Sequence, residues 1–164
     1  MSLAVAVVAL FAAALPAGAQ SEGARIHLIH GIPGVDVDVV VGGEPVIEGF
    51  AFEDTQDLSE FAGQTLPGLQ VTAAGTDDVV IDAGDFAVPA TGNYTVIANL
   101  DAEGNPALNV FENDTSAVAA GEGRLTVRHT AAAPAVDVKA NGDVAFAGLE
   151  NPNEAAADLP AGTI

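Results

Sequence analysis

The chain predicts an all-β fold, a sandwich of antiparallel strands with an internal repeat whose second copy is truncated. Three observations carry this. First, one stretch occurs twice. Ala24-Arg-Ile-His-Leu-Ile-His30, Pro33 and Val35-Asp-Val37 return as Gly123-Arg-Leu-Thr-Val-Arg-His129, Pro134 and Val136-Asp-Val138. A recurring unit of this kind marks a modular architecture. Second, apolar and polar residues alternate with period two, which marks half-buried strands. Third, the short apolar runs are separated by turn formers at near-regular spacing, as in sandwiches and barrels.

The elements follow in order. Ile26, Leu28 and His30 share one parity, against Arg25, His27 and Ile29. Val35, Val37, Val39 and Val41 alternate with Asp36 and Asp38 up to the Gly42-Gly43 turn. A short helical turn is expected near Thr55 to Phe61, with Asp54 as its cap. Further strands are expected at Gly68 to Ala73, Val79 to Asp82, Asp85 to Val88, Tyr94 to Asn99 and Ala107 to Phe111. Leu125, Val127 and His129 alternate with Arg124, Thr126 and Arg128 in the second copy. The organisation read from this is a first unit over 24–115, a joint over 116–123 and a partial second unit over 124–164. The two copies form either two bodies or one mixed sandwich.

The first nineteen residues stand apart. Leu3 to Leu15 is apolar throughout and Ala17-Gly-Ala19 follows. This is an apolar core with a small-x-small cleavage site, so residues 1–19 read as a secretory signal peptide and the mature chain would begin at Gln20. No Lys or Arg precedes the run. The run is too short for a comfortable bilayer crossing, so no transmembrane span is expected after cleavage. The expected location is therefore extracellular or in the cell envelope. The chain has no cysteine, which excludes disulfides, thiol catalysis and thiolate metal sites. Acidic residues number 23 against four basic ones, for a net charge of -19. Such a chain repels phosphate backbones, so nucleic acid is not an expected partner. The acids are scattered rather than blocked, which fits a solvated surface better than a cation site.

The repeated residues resemble a family of exported bacterial proteins known as domain of unknown function 4397. The resemblance rests on Ile29-His30 with Pro33 and Val35-Asp36-Val37. It rests equally on His129 with Ala133-Pro134-Ala135-Val136-Asp137-Val138, and on Thr72-Ala73-Ala74-Gly75-Thr76. It covers roughly residues 24 to 164 and implies an exported, immunoglobulin-like β-sandwich. It supplies no activity and no catalytic residues. Two departures stand out. The loop after His30 is two residues shorter than its copy when the two Val-Asp-Val motifs are matched. The aromatic that the family places after Val-Asp-Val is Asp38 in one copy and Lys139 in the other.

Candidate chemistry is sparse. His30 and His129 hold equivalent positions, with Asp36 and Asp137 one strand away. A His–carboxylate pair can bind a metal or orient a base. The competing reading is an imidazole at the rim of the core, bonded to the Pro-containing loop that follows it, and duplication favours that structural device. Asp101, Glu103, Asn105 and Glu112 fall at EF-hand-like spacing, but Pro106 occupies the position that needs glycine. The pairs Asp36/Asp38 and Asp82/Asp85 offer carboxylates for Ca²⁺ between loops. No nucleophile elbow, phosphate loop or dinucleotide fingerprint is present. Asn93-Tyr-Thr95 and Asn113-Asp-Thr115 fit the glycosylation sequon but read as turn residues. The expectation is an exported structural or binding module that is not an enzyme and carries no cofactor or metal. Its partner would be an envelope polymer or protein. The rivals are a Ca²⁺-dependent adhesion or ligand-binding domain and a hydrolase using a His–Asp pair.

Overall fold

The computed structural model describes residues 23–162; the expected signal peptide lies outside them. Every regular element save one 3₁₀ turn is a strand. The first eight are β1 (Arg25–His30), β2 (Val37–Val41), β3 (Glu44–Phe50), β4 (Thr55–Asp57), β5 (Thr65–Ala73), β6 (Val79–Ala87), β7 (Asn93–Leu100) and β8 (Pro106–Glu112). They form two four-stranded sheets, ordered β4-β1-β7-β8 and β3-β2-β5-β6. Ile26, Leu28, Val96 and Ala98 of one sheet pack with Val37, Val39, Leu69, Val71 and Ile81 of the other. Burying each such aliphatic chain stabilises by about 1.5–3 kcal/mol.

The pairings are antiparallel except β1 with β7, which run parallel from Arg25↔Asn93 to His30↔Ala98. Between them β2 and β3 cross to the other sheet, β4 returns beside β1, and β5 and β6 cross again, which gives the long connection a parallel pair needs. β7 is the deepest strand, with Thr95 to Asn99 buried on both parities.

Some elements differ from expectation. Thr55–Asp57 is a strand, and only Ser59–Phe61 forms a turn of 3₁₀ helix, with no cap from Asp54. Asp57 Oδ1 accepts from the Ser59 amide at 2.9 Å, and Ser59 Oγ accepts from the Ile26 amide at 3.0 Å, so the chain turns off β1 there. The two strands expected at Val79–Asp82 and Asp85–Val88 are one strand, β6, bulged around Gly84 at φ 60°. β3 breaks strict alternation and contains Pro45, as a sheet-edge strand can.

The remaining strands are β9 (Glu122–Arg128), β10 (Val136–Ala140), β11 (Asp143–Leu149) and β12 (Glu154–Pro160). They form two two-stranded sheets, β10-β11 and β12-β9, and none of them joins the sheets of β1–β8. Their registers are those of β1–β4 displaced by 99 positions, from His30 to His129. His27↔Asp57 becomes Thr126↔Ala156, Val39↔Ile47 becomes Val138↔Phe146, and Val41↔Glu44 becomes Ala140↔Asp143. The Gly42-Gly43 turn becomes Asn141-Gly142, both left-handed pairs as a tight hairpin requires. β12 runs longer than β4 because Ala156 and Asp158 stand where Asp57 and Ser59 make the turn.

Arginines bind the two parts. Arg124 meets Asp114 at 2.6 Å and Asp158 at 2.8 Å, and donates to Ser116 Oγ at 2.9 Å. Arg128 meets Glu154 at 2.8 Å, donates to Asn113 Oδ1 at 2.6 Å, and lies 4.7 Å over the Phe111 ring. Asn151 Nδ2 donates to the Leu100 and Ala131 carbonyls.

Candidate functional site

The end of β1 places His30 inside the sandwich with no solvent exposure. Its Nε2 lies 2.8 Å from the Val35 carbonyl. A carbonyl only accepts, so Nε2 is the donor in this contact. Nδ1 is buried and has no partner among the described residues. The ring stacks on Phe50 at 5.7 Å between centroids and 27° between planes. His129 repeats the device more loosely. Its Nε2 lies 3.1 Å from the Pro134 carbonyl, its Nδ1 accepts from the Ala131 amide at 3.4 Å, and Leu149 replaces Phe50. Each imidazole thus pins the loop that follows its own strand.

Among the described residues neither of these histidines bonds to a carboxylate. Asp36 is exposed; its carbonyl accepts from Ala74, and its side chain makes no hydrogen bond among the described residues. Asp137 Oδ1 accepts from the Gly148 amide at 2.8 Å. The first-copy residue that does the same is Asp38, whose Oδ1 accepts from Gly49 at 2.7 Å. Asp38, not Asp36, is therefore the counterpart of Asp137. The loop after His30 is then as long as its copy, since His30 to Asp38 and His129 to Asp137 span the same interval. The segment Val35-Asp-Val-Asp-Val39 contains Val-Asp-Val twice. A shift of two keeps every side chain on its face, so alternation alone cannot choose between them.

Asp38 does more than its copy. Oδ2 accepts from the Gly75 amide at 2.8 Å, so one carboxylate ties β2 to the β2–β3 bulge and to the β5–β6 turn. The Gly75 and Gly49 amides, in that order, hold its pKa below the usual carboxylate value. Asp101, the leading residue of the EF-hand-like spacing, accepts from the Asn105 amide at 2.7 Å and the Glu103 amide at 3.0 Å. Asp82 and Asp85 accept from the Gly84 and Gly68 amides. These carboxylates hold turns. Among the described residues no three His, Asp or Glu converge as a metal-binding group.

The space between the sheets holds a cavity of about 40 Å³ lined only by apolar chains, among them Val39, Leu58, Phe61 and Leu108. That is room for little more than a water, and it offers a water no partner. Asn113, read from the sequence as a turn residue at the joint, has a partner that no local spacing indicates. Its Nδ2 donates to Asn93 Oδ1 at 2.8 Å, so the two sequon asparagines bond one another.

No curated protein matches the chain. The model of one family, described as "Domain of unknown function (DUF4397)", matches residues 24–139, from the start of the sandwich through β9 into β10. That match covers most of the chain, and the chain belongs to the DUF4397 family.

Proposed function

We propose that this protein is an exported, cell-envelope or extracellular module that works by structure or binding and not by catalysis. The observation that carries the reading is where its candidate groups are spent. His30, His129, Asp38, Asp137 and Asp101 each bond a backbone group of their own fold. A catalytic base must instead reach a substrate proton. The apolar run of Leu3 to Leu15 before Ala17-Gly-Ala19 supports export. Expression in a secreting host tests location, with Gln20 as the expected first residue of the exported product. Uncleaved protein retained in the cytoplasm would refute export. Incubation of the purified chain with ester, glycoside and peptide substrates tests the rest. Turnover that is lost in His30→Ala while the sandwich stays folded would refute the non-catalytic reading.

A further inference from the structure

The registers that repeat at 99 positions show what each strand edge of the second copy is built to meet. In an antiparallel ladder, alternate residues turn their backbone groups toward the partner. The His129 amide donates to the Asn153 carbonyl at 3.1 Å, and the Ala161 amide to the Gly121 carbonyl at 2.7 Å. Residues 125, 127 and 129 therefore face β12. The amides and carbonyls of Arg124, Thr126 and Arg128 face away from it, and among the described residues no strand lies on that side. In the first copy the same side is filled by β7. There the Arg25 amide donates to Gly92 at 2.9 Å and the Gly31 amide to Ala98 at 2.7 Å. Arg124 and Thr130, their counterparts, make no such bond among the described residues.

We propose that the open edge of β9 takes up an uncharged, alternately apolar polypeptide strand, running parallel to it as β7 runs along β1. An exposed edge with unpaired amides is a template for strand addition. Charge selects the occupant. β7 itself, Asn93-Tyr-Thr-Val-Ile-Ala-Asn-Leu100, carries no charged residue. The pairs Arg124–Asp158 and Arg128–Glu154 match both cations of β9 with carboxylates of β12 and leave only exposed Glu122 at the far end of the ladder, so an uncharged strand docks without stranding an ion. A second copy of the chain would instead set one net charge of -19 against another. The partner's side chains would cover Leu125, Val127 and Val138, which are only half-buried, whereas their counterparts Ile26, Leu28 and Val39 are buried. This inference stands whether or not the protein is exported.

The test uses the whole chain and a capped peptide of sequence Asn-Tyr-Thr-Val-Ile-Ala-Asn-Leu with two added lysines for solubility. Amide exchange is followed residue by residue. The expected result is at least a tenfold slowing at Arg124, Thr126 and Arg128 that a scrambled peptide does not produce. Arg25, His27 and Ile29, already covered by β7, serve as the internal control. Thr126→Pro removes an outward amide without breaking a β12 bond, and it should abolish the effect. If that variant does not fold, the exchange data on the unaltered chain decide alone. Unchanged exchange at millimolar peptide would overturn the proposal, as would equal binding by a folded Thr126→Pro chain. Slow exchange without peptide, in a protein of dimeric mass, would give the edge to a second copy and overturn it equally.

Discussion

Truncating His30 separates an architectural imidazole from a chemical one. His30→Ala removes a ring with no solvent exposure, a 2.8 Å bond to the Val35 carbonyl and a stacked contact with Phe50. Emptying a fully buried site of this size costs about 2–3 kcal/mol. Leaving the carbonyl unpaired adds about 1–2 kcal/mol, at the lower end because half-buried Val35 admits some water. The expected loss is about 3–5 kcal/mol. His30→Gln keeps a donor near the Nε2 position and loses only the stacking and some packing, so its loss should be about 1–2 kcal/mol. His129→Ala should cost the second copy about 1 kcal/mol, read from amide exchange of β9–β12, because its bond is 3.1 Å long and among the described residues no aromatic ring stacks on it. Urea unfolding followed by tyrosine fluorescence is the assay. Tyr94, the single tyrosine, lies in β7 and reports on the first sandwich alone. His129→Ala should therefore leave that signal almost unmoved. A His30→Ala chain within about 0.5 kcal/mol of the parent would refute the pinned-loop account.

Other outcomes follow from the same geometry. Asp38→Ala should lower the melting temperature, and Asp36→Ala should leave it unchanged; the reverse order would refute the register assigned to the two copies. The Asp38 pKa is lowered by the Gly75 and Gly49 amides. Its contribution is therefore present above the unfolded carboxylate value and lost as pH falls through the lower folded value. Melting scans below about pH 4 should fall less steeply for Asp38→Asn than for the parent chain. Val37→Ala, at a site 1% exposed, should cost about 1.5–3 kcal/mol in the same urea assay, while its counterpart Val136→Ala, at 38%, should cost under about 0.5 kcal/mol when unfolding is read from amides of β9–β12. Arg128→Ala loses Glu154, Asn113 and the Phe111 face together, so protease cutting between residues 114 and 121 should rise severalfold, with Arg128→Lys intermediate. Millimolar Ca²⁺ and EDTA should give the same melting temperature, since Asp38 and Asp101 already hold backbone amides and among the described residues no three acidic or histidine side chains converge.

Alternation revealed β1 and most of β2, β5, β7 and β8 because each buries one face or both. The Gly42-Gly43 turn implied a partner for β2, but β3 itself was hard to read. Its Glu44, Pro45 and Glu48 lie on an edge strand, where burial imposes little pattern. β11 and β12 were hidden for the same reason, since neither is covered by a second sheet. Asp38 was passed over for Asp36 because a shift of two along Val-Asp-Val-Asp-Val conserves the pattern. What distinguishes them is a bond to Gly49, eleven residues away, and no local spacing encodes that. The arginine contacts at the joint were equally hidden. Arg128 replaces Ile29, an outward position in both copies, and its value comes from Phe111 and Asn113 of a neighbouring strand and loop.

The comparison of the two copies also separates what the module needs in order to form from what makes it a finished core. Both keep the hairpin turn, the bulge glycine at φ 62°, the aspartate beneath it and the histidine pinning its loop. These are local devices, and they recur where β5–β8 have no counterpart among the described residues. Deep burial does not recur with them: among the described residues of the second copy only His129 and Leu149 are buried. Short-range bonds thus set the shape of the four-strand module, and the second pair of hairpins supplies most of its hydrophobic stabilisation. A module shaped but not covered is one whose stability depends on what lies against β9 and β10. A strand-occupied edge should therefore raise the unfolding midpoint of the second copy, read from amides of β9–β12, while leaving the Tyr94 transition where it is.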